Sequence, residues 1–377
     1  MNEKEISEIR RKLKNDECTI SAVYGCYVSK EHEIISRFRQ PFGPLHEEES
    51  EKYLSLFRKT LSGVPGKNLL PLSFDTEAVL NGEEHKRLMA LKESCLKDEK
   101  LIDEYFGKIA ENITMKDNFV ILLAYNTYDV PHRAADGSRI DADSDEVFSY
   151  LISAVCPVKM SKPILSYDNA DKDFRSRDLG WVVSAPEIGF MFPAFDDRKT
   201  NIYGTMYYTK NTGDLHEDFA ETVFRTPLPM NADTQKETFE TAFTDALEKD
   251  CSMKVVRCVH QQIREKMEEH KETHSEEPLV VTGEDVREAL QLCGVSDEKI
   301  TAFEKGYTES FGAGAEIPPQ NLIDPKHFRV QTPEVTIQVN PKRTDLIETR
   351  VIDGVKYVLV RADDGVEVNG VEIHINP

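Results

Sequence analysis

The segment FVILLAY, from Phe119 to Tyr125, is apolar throughout. A strand with one wet face alternates polar and apolar residues, whereas an unbroken apolar run belongs to a strand covered on both faces. Half-buried strands surround it in the sequence. Ile20, Ala22, Tyr24, Cys26 and Val28 alternate with mostly polar or small neighbours, and Ser29-Lys30-Glu31-His32 turns this strand towards a partner near Ile34 to Phe38. Phe148, Tyr150, Ile152, Ala154 and Cys156 alternate again. Trp181, Val183 and Ala185 begin a further strand that runs on to Phe195, and Ile202 to Tyr208 supplies its return partner.

Helical spacing marks the remainder. Ile6, Ile9 and Leu13 share one face of a short N-terminal helix, and Tyr53, Leu54, Phe57 and Leu61 share another. More helix is expected from about Glu83 to Glu111, and helices dominate from Leu215 to about His274. The Glu-rich segment HKETHSEEP, closing on Pro278, reads as a linker. Beyond it, Thr282 and Asp285 form a capping box, Gly294 stops that helix, and Ser296 caps a second one. Asp353-Gly354, Asp364-Gly365 and Asn369-Gly370 then separate short β-rich runs, as hairpin turns do.

The expected fold class is α+β: a mixed N-terminal region with antiparallel sheet, a helical stretch, and a small C-terminal helical hairpin plus β-meander. The expected domains are 1–275, with a sub-boundary near 115, and 276–377.

Charge narrows the partners. Against 47 basic residues stand 68 acidic ones, a formal net of −21. A surface of that sign repels phosphate backbones and anionic lipid, so nucleic-acid and membrane association are disfavoured. The longest apolar run has seven residues, too few to span a bilayer. The opening MNEKEISEIRRKLKNDE has no apolar core of the signal-peptide kind. Seven cysteines without framework spacing suit reduced thiols, and the expected location is cytoplasmic.

Motifs for chemistry are sparse. GVPGKN, from Gly63 to Asn68, lacks the first glycine and the hydroxyl residue of a phosphate-binding loop. FGAGAE, from Phe311 to Glu316, holds only two glycines of a dinucleotide fingerprint and follows no strand. In RIDADSDEVF, Asp141, Asp143 and Asp145 alternate as in a calcium loop, but Glu146 and Ile152 stand where Gly and Glu are needed. These aspartates form either a hydrated acidic loop or part of a magnesium or manganese site. YDVPHR places Asp129, His132 and Arg133 after the apolar strand, where an Asp–His pair would serve as a base or an Asp–Arg pair as a structural contact. Asp196-Asp197-Arg198-Lys199 interrupts two aromatic runs. A hairpin turn accounts for it, and a site would require Asp196, Asp197 and Arg198 to meet Asp129, His132 and the Asp141 loop in space.

No cysteine pair has zinc-ribbon spacing. The helix–turn–helix from Glu284 to Ser310 opens its second helix with Asp297-Glu298, the wrong sign for phosphates. Met253, Val256, His260, Ile263, Met267, His270 and His274 are spaced by three and four. They form one helical stripe, packed either on its own domain or against a second helix. His270 and His274, one turn apart, are candidate transition-metal ligands.

Several blocks, CTISAVYGCYV, KTLSGVPGKNLL, SDEVFSYLISAVCPVKMSKPILSY, GFMFPAFDDRKTNIYGTMYYTKN, PLPMNADTQKETF and VEVNGVEI, occur in an order and spacing that resemble the bacterial family termed domain of unknown function 4317. The resemblance implies a bacterial cytosolic protein and carries no catalytic residue. Function then divides between a non-enzymatic protein that binds a protein partner or itself, and a metal-assisted hydrolase or phosphoryl-transfer enzyme using the acidic loops. A nucleic-acid-associated role is third, opposed by charge.

Overall fold

The computed structural model describes residues 1–133, 139–140, 147–161, 165–168, 172–176, 180–273, 278–362 and 365–374. The chain is α+β and divides into two units, Met1–Ala232 and Asp233–Pro377.

Unit 1 contains helix α1 (Glu3–Lys12), strands β1 (Ala22–Val28) and β2 (Ile34–Pro41), helix α2 (Glu47–Thr60) and strand β3 (Leu69–Ser73). Helices α3 (Thr76–Asn81), α4 (Glu83–Glu93) and α5 (Glu99–Asn112) follow, then strand β4 (Asn118–Asp129) and the short pair β5 (His132–Arg133) and β6 (Arg139–Ile140). Next come β7 (Val147–Met160), the hairpin β8 (Leu165–Asp168) and β9 (Asp173–Ser176), β10 (Trp181–Val183) and β11 (Ile188–Phe192). The hairpin β12 (Ala194–Asp196) and β13 (Lys199–Asn201), strand β14 (Gly204–Thr209) and helix α6 (Glu217–Val223) complete the unit.

The main sheet runs β2-β1-β4-β7-β11-β14-β3, with β10 added to β7. Every neighbouring pair is antiparallel. The apolar run sits inside this order, in β4 between β1 and β7, and its side chains part to two sides. Phe119, Ile121 and Leu123 join the cluster under α4, α5 and α6, whereas Val120, Leu122 and Ala124 join the cluster under α1 and α2. Helices on both faces are what an unalternating strand requires. Ile121 has no exposed surface, so Ile121→Ala should cost about 2–5 kcal/mol through lost burial and a residual cavity. The helices reach the sheet closely: a Cβ at Gly189 would lie 2.3 Å from Thr60 Cγ2 in the last turn of α2. Two polar pairs lie inside this core. The Tyr105 hydroxyl donates to Ser153 Oγ at 2.9 Å, and Asn126 Nδ2 donates to the Tyr150 hydroxyl at 2.7 Å.

Unit 2 gathers the helices α7 (Ala232–Leu247), α8 (Met253–Thr273), α9 (Gly283–Leu292) and α10 (Asp297–Phe311). Phe239, Phe243 and Leu247 of α7 and Val259 and Ile263 of α8 share one core with Val286, Leu290 and Phe303 of α9 and α10. The sequence reading set a boundary at 275/276; the division by contacts falls at 232/233, because α7 and α8 bury their apolar faces against α9 and α10. The Thr282–Asp285 capping box is formed, with Thr282 Oγ1 accepting from Asp285 N at 3.3 Å.

One cysteine expectation is corrected. Cys258 of α8 and Cys293 after α9 are joined in a disulfide, with Cα atoms 5.9 Å apart. Packing of the two helices brings together thiols 35 residues apart, which sequence spacing did not mark.

The C-terminal strands form three separate two-stranded ladders: β15 (Phe328–Gln331) with β16 (Thr336–Val339), β17 (Ile347–Ile352) with β18 (Val355–Val360), and β19 (Val366–Val368) with β20 (Val371–Ile373). Asp353-Gly354 and Asn369-Gly370 have positive φ at both central residues, as the tight hairpin turn demands. The expected meander is thus a series of hairpins whose ladders do not join among the described residues.

Candidate functional site

The charged knot is a two-residue turn. Asp196 pairs with Lys199 across the β12–β13 hairpin, and Asp197 and Arg198, with φ of 49° and 60°, make the bend. Its charges are directed into the protein's own N-terminal helix. The Arg198 backbone N–H donates to Glu5 Oε1 at 3.1 Å, and the same glutamate closes the N-cap of α1 by accepting from Asn2 N at 2.8 Å. The Arg198 guanidinium donates to Glu8 Oε2 at 2.9 Å and to the Pro131 carbonyl at 3.1 Å. The Tyr128 hydroxyl donates to the other oxygen of Glu8.

Electrostatics follow from this geometry. Burial works against the Arg198 charge, but Glu8 and Tyr128 beside it raise its pKa overall. Burial, then the Glu8 carboxylate, pushes the Tyr128 hydroxyl up. Asp196 accepts from the Met1 ammonium at 2.8 Å and from Asn201 Nδ2 at 3.2 Å, and the ammonium holds its carboxyl below the usual value against the opposing effect of burial. These contacts fasten α1 onto the hairpin and the end of β4.

The hairpin does lie beside the loop after β4, through the Arg198–Pro131 contact. Of the other residues marked in the sequence, Asp129 is exposed at the end of β4, opposite Val147, and Asp197 is exposed in the turn. His132 and Arg133 sit in β5, paired with Ile140 and Arg139, and their side chains lie outside the described set. Asp141, Asp143, Asp145 and His274 lie outside the described residues. His270 is half-buried near the end of α8. Among the described residues, no three His, Cys, Asp or Glu side chains gather as a metal would require. Asn68, at the position a phosphate-binding loop gives to a hydroxyl residue, closes its own loop by accepting from Val64 N at 2.7 Å.

The helical stripe on α8 packs within its own unit. Ile263 is buried, Val256 and Met267 are half-buried against the unit 2 core, and His260 meets the Phe328 ring edge-on at 5.7 Å between centroids. Burial, reinforced by the charge of Lys236, lowers the His260 pKa to about 4.

Two surfaces of another kind had no sequence motif. In unit 1, β10 pairs with β7 on one side only among the described residues, and Trp181, Val182 and Val183 are 56%, 52% and 44% exposed. Ser161 N donates to the Gly180 carbonyl and Ser184 N to the Pro157 carbonyl, both at 2.8 Å. Antiparallel alternation then turns the N–H and C=O of Trp181 and Val183 away from β7, towards an open edge.

In unit 2, a groove of about 680 Å³ runs along α8, against the segments 325–327 and 338–342. Arg264, Lys271, Lys326 and Lys342 line it, with Glu268 its one carboxylate. The Nε of Arg264 is buried and has no hydrogen-bond partner among the described residues. These cations are separated by up to 78 positions in the chain, so no local pattern announced them.

No curated protein and no solved structure matches the chain. The family model described as Domain of unknown function (DUF4317) matches residues 1–371, across both units. The chain therefore belongs to the DUF4317 family.

Proposed function

We propose that this is a non-enzymatic bacterial protein that acts by binding a protein partner, and that the partner adds an extended segment to the open edge of β10. The observation that carries this reading is the row Trp181, Val182 and Val183, all exposed on a strand that, among the described residues, is paired on one side only. An edge with unpaired N–H and C=O groups is a template for another strand, and natural proteins blunt such edges with charge or proline unless the edge is used. Here neither is present within β10, and Trp181 stands opposite the exposed Met160. Large exposed apolar groups side by side on a sheet edge are the usual mark of an interaction site.

The experiment is a photo-reactive side chain at position 182, introduced in producing cells, with a second at the exposed Glu77 of α3 as control. A discrete adduct is expected from 182 and not from 77. Val183→Pro removes an outward N–H without touching the β7 ladder, and should abolish the adduct. Adducts that survive Val183→Pro, or that form equally at 77, would refute strand addition. An adduct of twice the chain mass would identify the partner as a second copy.

The alternative, a metal-assisted hydrolase using magnesium or manganese at the acidic loops, draws support from the Arg198–Pro131 contact alone. Against it, the Asp196 carboxylate is already engaged by the Met1 ammonium.

A further inference from the structure

We propose that the groove along α8 in unit 2 binds a small organic phosphate, with the Arg264 guanidinium gripping the phosphate head. Its volume, about 680 Å³, lies within the range of sites that enclose small molecules. Its charge is inverted relative to the chain: four permanent cations and one carboxylate line it, in a sequence where acidic residues outnumber basic ones 68 to 47. That surplus matches a dianion better than a single carboxylate.

Arg264 supplies the more specific clue. It lines the groove as a half-buried side chain, and its Nε–H has no hydrogen-bond partner among the described residues, so one donor of the guanidinium is uncommitted. A phosphate accepting two parallel N–H bonds is the partner that a guanidinium fork fits best. Lys326 is exposed at the rim. Lys342 Nζ reaches Glu268 Oε1 at 3.1 Å, joining the segment after β16 to α8 across the groove, so an arriving dianion competes with Glu268 for it. Met267, Val339 and Pro341 give the same groove apolar walls, which favour an organic body over a bare inorganic ion.

The test is calorimetric titration of the full chain with phenyl phosphate, with inorganic phosphate and benzoate as comparators. Phenyl phosphate should bind most tightly of the three. Arg264→Gln should weaken it at least about tenfold, Arg264→Lys less because charge is kept and the fork lost, and Lys326→Gln by roughly threefold. Circular dichroism should show each variant folded. If Arg264→Gln fails to fold, the exposed Lys326→Gln and the order of the three ligands still decide. No heat with millimolar phenyl phosphate would overturn the site. So would equal affinity in wild type and a folded Arg264→Gln, and benzoate binding as well as phenyl phosphate would overturn the phosphate head. Inorganic phosphate binding as tightly would overturn the organic body.

Discussion

Protonation of His260 offers a quantitative check on how unit 2 is packed. The ring lies on α8 against Phe328, and its pKa is lowered to about 4, first by burial and then by Lys236. In the unfolded chain a histidine titrates near 6.5. The folded value is depressed, so the native state resists the proton that the unfolded state accepts. The contribution to stability is fully present above pH 6.5, declines as pH falls below it, and is lost once pH passes the folded value near 4. The whole span corresponds to about 3 kcal/mol at most, and to less in so far as the ring's exposed edge is solvated. By the same linkage, about 0.1 kcal/mol is lost by pH 7.5, about 1.4 by pH 5.5 and about 2.6 by pH 4.5.

His260→Phe keeps an edge-on aromatic contact and removes the proton site. Urea unfolding followed at 222 nm, where the unit 2 helices contribute strongly, would be compared for wild type and variant at these three pH values. All other titrating groups are common to both chains, so the difference isolates His260. Wild type should lose ground to the variant by roughly 1–3 kcal/mol between pH 7.5 and 4.5. Lys236→Gln should shrink that gap, since it removes the second cause. Parallel curves for wild type and His260→Phe would show that the imidazole is solvated in the fold, and would refute the packing of α8 described above.

Arg198→Ala should release α1, because it deletes the ion pair to Glu8 and the bond to Pro131; hydrogen exchange in residues 3–12 should quicken by about 30-fold, the equivalent of ~2 kcal/mol, whereas the exposed Lys199→Ala should leave it unchanged. Equal protection in both variants would return Arg198 to the list of catalytic candidates. Trp181→Lys should alter stability by less than about 0.5 kcal/mol, given 56% exposure, while abolishing the position 182 adduct; a large loss of stability would mean that β10 is buried by its own chain. Cys258→Ser should destabilise unit 2 by about 2–5 kcal/mol under non-reducing conditions and by little in excess dithiothreitol, as a bridge closing a 35-residue separation predicts; an equal effect in both buffers would argue against the bond.

Strand β4 was legible because burial on both faces leaves a direct trace in composition: Phe119 to Tyr125 has no alternation to lose. Turns with a steric requirement were legible for a similar reason, as at Asp353-Gly354 and at Asn369-Gly370, where few residues accept positive φ. What stayed hidden depends on contacts distant in sequence. Nothing near Arg198 in the chain shows that Glu5 and Glu8, about 190 positions away, receive its donors. Without them the local sequence favours a turn and leaves open whether a site is built on it. The Cys258–Cys293 bond and the shared core of α7 to α10 were invisible for the same reason, and a linker-like composition at 270–278 drew the boundary past two helices that pack with the C-terminal unit. The edge of β10 that is open among the described residues could not be read at all, since an alternating strand looks the same whether one neighbour or two pair with it.

Net charge deserves a narrower use than composition suggests. A formal −21 disfavours partners that feel the whole molecular field at once, such as a DNA duplex or an anionic bilayer. A small dianion inside a groove feels something else. At physiological salt the screening length is about 8 Å, so acidic groups beyond that distance contribute little to the potential between Arg264, Lys326 and Lys342. The two effects separate experimentally. Long-range repulsion acts on the rate of approach and is relieved by salt, whereas the lining cations act on the bound state and are weakened by it. Phenyl phosphate should therefore associate faster, and also dissociate faster, as ionic strength rises from low values. A site on the open acidic surface would gain only the first effect, and a site with no acidic surroundings would show slower association with salt.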